Sequence, residues 1–162
     1  MIVYLDTEFS DLVDTFGPIK LISAGFVAEN GQELYFELTD NYEEIDCSEF
    51  VIENVLPHLN HSKYGMTSKE AARQLSEFIL SFGEPIILGS DAPDFDFNIL
   101  AVFMRDQGFK VSEFRARELD LRNKLVNERY ENYFDYQPMS IRHHALWDAR
   151  ALAEAAKGVV SD

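Results

Sequence analysis

Residues 2–9 read Ile-Val-Tyr-Leu-Asp-Thr-Glu-Phe and give the strongest indication of the fold class. Its first half is a short apolar run with β-branched and aromatic side chains, typical of a central strand buried on both faces. Its second half places Asp6 and Glu8 two residues apart, so the alternation of a strand directs both carboxylates to one side. We therefore predict a buried strand over Ile2–Leu5 that ends in a pair of acids.

The chain continues as two more strands and then as alternating helices and strands. We predict strands over Leu21–Val27 and Glu33–Leu38, joined by a turn at Asn30 and Gly31. Helical periodicity then dominates, interrupted by short apolar runs. The remaining predicted elements are helices over Ser48–Leu59, from a cap at Thr67 or Ser68 to Gly83, and over Asp94–Gln107, Leu119–Tyr133 and Arg142–Gly158, with strands over Pro85–Gly89 and near Lys110–Phe114.

This order of elements indicates a single α/β domain over residues 1–162. A meander followed by α-β-α units is typical of a mixed sheet with helices on both faces. The length matches one domain, since domains commonly hold roughly 100–200 residues. The apolar fraction of 46% and the thirteen phenylalanines can fill a core, which excludes wholesale disorder.

The charge of the chain restricts how it can meet nucleic acid. It carries 14 basic and 29 acidic side chains, a net charge of −15. Electrostatic coating of long nucleic acid needs many Lys and Arg contacts to phosphate, so the composition argues against that mode of binding. It remains compatible with processing at a site where metal ions supply the positive charge.

Targeting and redox signals point to a soluble, cytoplasmic protein with no membrane partner. Cys47 is the single cysteine, which excludes an internal disulfide and a cysteine-based zinc site and fits a reducing compartment. The N-terminal residues show no basic segment followed by a long apolar stretch, so we expect no signal peptide. No run approaches the roughly 18–20 apolar residues that a membrane crossing needs.

Acids also follow the strand predicted over Pro85–Gly89. Asp91 lies at the strand end, Asp94 suits a helix N-terminus for electrostatic reasons, and Asp96 lies in the first helical turn. Open α/β sheets bind ligands at the carboxyl ends of their strands. The acids after the first and fourth strands are therefore expected near one edge of the sheet.

A third cluster spans residues 143–148, His-His-Ala-Leu-Trp-Asp. Small apolar residues recur at helical spacing in this segment, at Ala145, Ala149, Leu152 and Ala156. Asp148 lies about 60° from Ala145 on a helical wheel, so it flanks the buried face. The plain alternative is a surface pair between His144 and Asp148 at i, i+4 spacing.

Together these three segments resemble the DEDDh family of 3′–5′ exonucleases. The matching segments are residues 5–9 (Leu-Asp-Thr-Glu-Phe), Phe95–Leu100 (the F-D-x-x-x-L pattern) and His143–Ala149 (H-x-A-x-x-D-A). Their order and spacing suit the family, and the resemblance spans nearly the whole chain. The small size and the ending over residues 142–150 look most like the short mycobacterial-type exoribonuclease domain family.

The resemblance implies a ribonuclease-H-like fold with a five-stranded mixed sheet. It also implies two Mg²⁺ or Mn²⁺ ions, for which oxygen ligands are suitable. Carried over, the metal ligands are Asp6, Glu8, Asp96 and Asp148, with His143 as general base. The implied activity is hydrolysis of single-stranded nucleic acid from its 3′ end to nucleoside monophosphates. The subfamily favours RNA, and single-stranded DNA stays open.

Two of these assignments have competitors. Inside a helix, residues i and i+5 lie about 140° apart, so His144 would face Asp148 better than His143 unless the helix begins after residue 143. At the second motif, register with Phe95 favours Asp96 over the neighbouring acids. Asp91 is then expected to touch the site without being a ligand.

Candidate substrate contacts lie next to the motifs. Phe9 is a candidate for stacking on a terminal base, with core packing as the alternative. Ser10 is a candidate for contacting the terminal ribose or 3′ hydroxyl, and Arg142 for contacting phosphate. The family suggests a homodimer, and an aromatic cluster is a candidate interface, substrate platform or core cover: Tyr130, Tyr133, Phe134 and Tyr136.

Two other classes of protein match part of the pattern. A non-catalytic acidic protein can mimic nucleic-acid phosphates, and the dense acids between Glu29 and Glu53 suit that role. A carboxylate-pair hydrolase such as a glycosidase needs no metal. Both leave the third motif, with His143 and Asp148, unexplained, and the nuclease hypothesis is therefore preferred.

Overall fold

Strands β1 (Ile2–Phe9), β2 (Leu21–Ala28) and β3 (Glu33–Leu38) form the predicted antiparallel meander. The computed structural model describes residues 1–12, 17–109, 117–120 and 122–159, with residues 117–120 described by their backbone alone. Strand β1 is four residues longer than predicted and carries both acids of the first motif within the strand. Its apolar half is buried on both faces, as the run of β-branched and aromatic residues predicts.

Two parallel strands extend the sheet on the other side of β1. Strand β5 (Ile87–Ser90) pairs with β1, and β6 (Arg117–Asp120) pairs with β5. The two-residue strand β4 (Gly65–Met66) joins the opposite edge, so the sheet has the order β4-β3-β2-β1-β5-β6. The sheet is therefore mixed, as predicted. It contains five longer strands and, at one edge, the additional two-residue strand β4.

The region between β5 and the last helix differs from the prediction. The strand predicted near Lys110–Phe114 lies outside the described residues, whereas β6 occupies residues that include Leu119. The predicted start of the next helix at Leu119 is therefore wrong. This helix begins at Lys124, because the side chain of Asn123 caps it by accepting a hydrogen bond from the N–H of Val126.

The bounds of the helices are α1 (Glu49–Asn54), α2 (His61–Tyr64), α3 (Ser68–Ser81), α4 (Pro93–Asp106), α5 (Lys124–Tyr136) and α6 (Ala145–Ala156). Five of these six helices in the described part of the chain match predicted helices with shifted ends, whereas α2 was not predicted and α1 ends five residues before the predicted Leu59. The predicted cap of α3 is confirmed, since the Thr67 side chain accepts from the N–H of Glu70. The last helix begins three residues later than predicted, at Ala145, which matters for the site.

The helices lie on both faces of the sheet. Leu5, Leu75 and Phe97 belong to the core between the sheet and helices α3 and α4. On the opposite face, Tyr4 and Leu152 belong to the core that α5 and α6 cover. Alternation along β1 therefore directs its even-numbered residues toward α6 and its odd-numbered residues toward α4.

Within the part of the chain that the structure describes, no helix combines the length and apolar character needed to cross a membrane.

Candidate metal centre

Three segments bring carboxylates to one edge of the sheet. Strand β1 contributes Asp6 and Glu8, and Asp91 directly follows β5. Asp96 lies in the first turn of α4, and Asp148 lies in the first turn of α6. Since β1 and β5 are parallel neighbours, their carboxyl ends lie side by side and the helices start or pass close to them.

The carboxylates lie close enough together to hold cations. One oxygen each from Asp6, Glu8 and Asp148 lie within 4.8 Å of one another, and the same holds for Asp6, Asp91 and Asp96. Asp6 belongs to both groups and therefore links them. The four predicted ligands do converge, and Asp91, predicted only to touch the site, lies as close as a ligand would.

Asp96 is held by hydrogen bonds from two strands. Its Oδ1 accepts from the backbone N–H of Thr7 at 3.1 Å and from the Thr7 hydroxyl at 2.5 Å. Its Oδ2 accepts from the hydroxyl of Ser90. Asp96 is 1% exposed, and burial raises its pKa to about 7 although these hydrogen bonds favour the ionised form.

Asp148 is also held on both oxygens. Its Oδ1 accepts from the hydroxyl of Tyr130 at 2.5 Å, and its Oδ2 accepts from the backbone N–H of His144 at 2.8 Å. Burial raises the pKa of Asp148 to about 6, while these two donors act in the opposite direction. The alternative of a surface pair between the His144 and Asp148 side chains is therefore wrong, because both residues are buried and the contact is made by the His144 backbone.

The two acids of β1 have a different environment. Burial raises the pKa of Asp6 well above its usual range, and the charges of Asp148 and Glu8 raise it further. Burial also raises the pKa of Glu8, with Asp148 as the next cause. Neighbouring buried carboxylates resist ionisation unless a cation compensates their charge. The raised pKa values of these four acids therefore indicate a site that favours a bound cation.

Gly25 allows α6 to approach the sheet at this point. It lies opposite Asp6 in the pairing of β1 with β2. A Cβ at Gly25 would lie 2.3 Å from the carbonyl oxygen of Ala145 and 2.5 Å from the nitrogen of Leu146. Only a residue without a side chain fits there, and this close approach is what places Asp148 beside Asp6.

His143 lies before the first turn of α6, as the general-base hypothesis requires. His144 is the N-cap, and His143 precedes it with a positive φ of 58°. The His143 ring is exposed and makes an edge contact with Phe50, the ring centroids 5.0 Å apart. Among the described residues, no hydrogen bond joins the His143 ring to the acids. The His144 ring is buried and stacks on Tyr35 at 4.7 Å.

Two of the predicted substrate residues, Phe9 and Arg142, have side chains that solvent can reach. Phe9 is half-buried, and its ring lies parallel to that of Phe95 at 5.8 Å, beside the acids of the first and second motifs. Arg142 is exposed, forms an ion pair with Glu131 and lies over the ring of Phe134 at 4.5 Å. Both side chains remain accessible from solvent, so both stay candidates.

The structure gives Ser10 a structural role that the sequence prediction did not anticipate. It is 2% exposed, and its hydroxyl accepts a hydrogen bond from the backbone N–H of Lys20. Its carbonyl oxygen accepts from the N–H of Ser48. These bonds tie the end of β1 to the start of β2 and of α1, so the side chain is not presented to a substrate.

The structure also bears on Asp94 and on the aromatic cluster of α5. Asp94 pairs with Arg122 at 2.7 Å on the surface, which supports the choice of Asp96 for the second motif. The aromatic cluster of α5 is not one exposed surface, because Tyr130 packs inward while Tyr136 is 81% exposed. The homodimer remains a prediction.

Sequence reasoning missed the residues that orient the acids. Thr7 lies inside the first motif, but its partner Asp96 is 89 residues away. Ser90 ends β5, where a polar residue after an apolar run is a usable signal. Gly25 lies within an apolar strand, and an isolated glycine in a strand indicates close approach of another backbone. Tyr130 has no such local signal.

Solved structures of low sequence identity share this architecture. S. pombe Pop2p in its Mg²⁺- and Mn²⁺-bound form matches 97% of this chain and 83% of its own, with a TM-score of 0.60 and 16% identity. Exonuclease I matches 96% of this chain, which spans 40% of that larger protein, with a TM-score of 0.61 and 12% identity. The fold is ribonuclease-H-like. No family model and no curated protein matches the sequence.

The donor set fits divalent cations that prefer oxygen. Each of the five clustered acids offers carboxylate oxygens alone, and no cysteine or histidine belongs to either group of ligand atoms in the described residues. Mg²⁺ and Mn²⁺ favour such ligands, whereas zinc sites usually include sulfur or imidazole. The clustered carboxylates therefore suit Mg²⁺ or Mn²⁺.

Proposed function

We propose that this protein is a metal-dependent exonuclease that hydrolyses single-stranded nucleic acid from the 3′ end, releasing nucleoside monophosphates. The observation that carries the proposal is the convergence of Asp6, Glu8, Asp96 and Asp148 from three segments onto one edge of the sheet. The fold supports it, because Pop2p has the same fold and was solved with Mg²⁺ and Mn²⁺ bound.

The grouping of the acids favours two ions. Asp6 is shared between a group with Glu8 and Asp148 and a group with Asp91 and Asp96. In two-metal hydrolases the ions activate the attacking water and stabilise the leaving oxygen. The protein contributes the fixed positions of Asp96 and Asp148, each held by two or more hydrogen bonds, and it keeps bulk water from both carboxylates.

His143 is proposed as the general base. Burial and the neighbouring charge of Arg142 lower the pKa of its imidazole, so the neutral form that accepts a proton prevails at neutral pH. Its position before the helix, with φ of 58°, leaves the ring accessible to solvent. A general base needs such access to reach the proton of an attacking water.

Aromatic rings beside the acids favour a single-stranded substrate. The parallel pair of Phe9 and Phe95 borders one side of the centre, and Phe50, 53% exposed, lies against His143. Unpaired bases stack on such rings, which contributes about 1–3 kcal/mol per base. RNA is the favoured substrate in this proposal, through the resemblance of residues 142–150, and single-stranded DNA is the alternative.

The test uses 5′-labelled single-stranded RNA and DNA oligomers of one sequence. Each is incubated with Mg²⁺, Mn²⁺ or EDTA and with the wild-type protein, Asp6→Ala or Asp94→Ala. Asp94 is the matched control, since this acid pairs with Arg122 on the surface and belongs to neither carboxylate group.

We expect a ladder that shortens from the 3′ end, that persists in Asp94→Ala and that is lost with EDTA and in Asp6→Ala. The ratio of the RNA and DNA rates identifies the substrate class. Folded wild-type protein that cleaves neither strand with either metal would refute the proposal and favour the acidic-mimic hypothesis.

A further inference from the structure

Tyr130 of α5 brings its hydroxyl to the candidate metal centre from outside the three motifs. It donates to Oδ1 of Asp148 at 2.5 Å, while the N–H of His144 donates to Oδ2 at 2.8 Å. Each carboxylate oxygen therefore has one protein donor and keeps lone-pair capacity for a cation. Two contacts from different elements, α5 and the start of α6, define the orientation of this carboxylate.

The position of the Tyr130 hydroxyl is determined by packing of its ring. The ring packs against the core formed by Ile2, Tyr4 and Leu152, between β1, α5 and α6. The ring of Phe134, one turn further along α5, contacts it edge-on at a centroid distance of 5.3 Å. This packing restricts movement of the hydroxyl away from Asp148.

The candidate ligands differ in how they are held. Asp96 and Asp148 each accept two or more hydrogen bonds, whereas the structure shows no donor to the Asp6 or Glu8 carboxylate among the described residues. Loss of the Tyr130 hydroxyl would leave Asp148 oriented by a single bond from the His144 backbone. The carboxylate would then be free to rotate about its Cβ–Cγ bond.

We propose that Tyr130 is a positioning residue, which orients Asp148 and thereby sets the affinity of the Asp6, Glu8 and Asp148 group for a divalent cation. This inference rests on the proposed function, because it takes Asp148 as a metal ligand. Residues that orient metal ligands commonly change metal affinity by about 10–100-fold when they are removed. The hydroxyl acts through Asp148 and makes no contact with substrate in this proposal.

The experiment compares Mn²⁺ binding by the wild-type protein, Tyr130→Phe and Tyr133→Phe, measured by titration calorimetry without nucleic acid. Tyr133 is the matched control, because it is also half-buried on α5 but belongs to neither carboxylate group. Tyr130→Phe retains the ring that packs in the core, and circular dichroism establishes that it folds. Cleavage of single-stranded RNA is then followed against Mn²⁺ concentration for each protein.

We expect Tyr130→Phe to bind Mn²⁺ about 10–100-fold more weakly than the wild type, with Tyr133→Phe unchanged. Its cleavage rate should recover toward the wild-type rate at high Mn²⁺, which a loss of folding or of a catalytic group would not allow. A second measurement uses Asp148→Asn, in which adding Tyr130→Phe should cause no further loss of affinity. Non-additivity of this kind is the signature of residues that act as a unit.

The outcomes separate this inference from the proposed function. Wild-type protein that binds Mn²⁺ and cleaves, with Tyr130→Phe equal to it in affinity, would overturn the role of Tyr130 and leave the nuclease intact. A further loss of affinity in the Asp148→Asn background would also overturn it, because Tyr130 would then act through another group. Wild-type protein that neither binds Mn²⁺ nor cleaves would overturn both.

Discussion

The buried acids predict that the metal-free protein loses stability as the pH rises. Asp96 has an ordinary pKa of 3.8 and a pKa of about 7 in the folded protein, so the folded state binds more protons than the unfolded state between these values. Stability therefore falls with rising pH across this window. One pKa unit corresponds to about 1.4 kcal/mol, so ionised Asp96 lowers the free energy of unfolding by an amount on the order of 4 kcal/mol.

Asp148 contributes in the same direction. Its pKa rises from 3.8 to about 6, which corresponds to a further penalty on the order of 3 kcal/mol once it is ionised. The two penalties are not strictly additive, because both acids lie beside Asp6. Since a protein of this size is stable by roughly 5–15 kcal/mol, the loss should be a large fraction of the total.

The assay is urea unfolding in EDTA at several values between about pH 5 and pH 8, repeated with excess Mn²⁺. Each cation bound only by the folded state should offset part of the loss, by about 2.7 kcal/mol at one hundred times its dissociation constant. Asp96→Asn keeps the shape and removes the charge, so it should be more stable than wild type in EDTA near pH 8 and show a shallower pH dependence. Metal-free wild-type stability that is constant or rises over this range would refute the reasoning.

Three further predictions concern the packing, the base and the substrate contact. Gly25→Ala should lower the free energy of unfolding by about 1–3 kcal/mol or more and weaken Mn²⁺ binding, because the added Cβ would displace the Ala145 backbone. Urea unfolding measures the first effect and Mn²⁺ titration the second. His143→Gln should lower kcat by about 10²–10⁴-fold with Mn²⁺ affinity unchanged, and weaker Mn²⁺ binding by this variant would contradict its assignment as base. Phe9→Ala should raise KM for a single-stranded oligomer by about 5–150-fold, while Tyr136→Ala, on the exposed part of α5, leaves KM unchanged. An unaltered KM in Phe9→Ala would refute stacking of a terminal base on this ring.

Local patterns accounted for much of the fold. The apolar run over Ile2–Leu5 predicted the buried strand, and alternation predicted that Asp6 and Glu8 share a face. The Thr67 cap of α3 also followed from residue type and position. These features depend on neighbours a few residues apart, which is why the amino-acid order alone reveals them.

Element ends near the site were harder to predict. Leu119 lies in β6 although helical spacing suggested a helix there, because pairing with β5 outweighs the local preference. The last helix was predicted to start at Arg142 but starts at Ala145, which leaves His143 before the first turn, as its assignment as general base requires. Tertiary contacts thus decided between local alternatives of similar energy.

Residue type and spacing predicted which acids are candidates, in what order they occur and on which elements they lie. Their orientation depends on contacts between distant segments: Thr7 bonds to Asp96, Gly25 admits the backbone of α6, and Tyr130 bonds to Asp148. The difference lies in the range of the interactions. Alternation and helical periodicity act between near neighbours, whereas the orientation of a carboxylate depends on donors that only the packing of distant segments brings within about 3 Å.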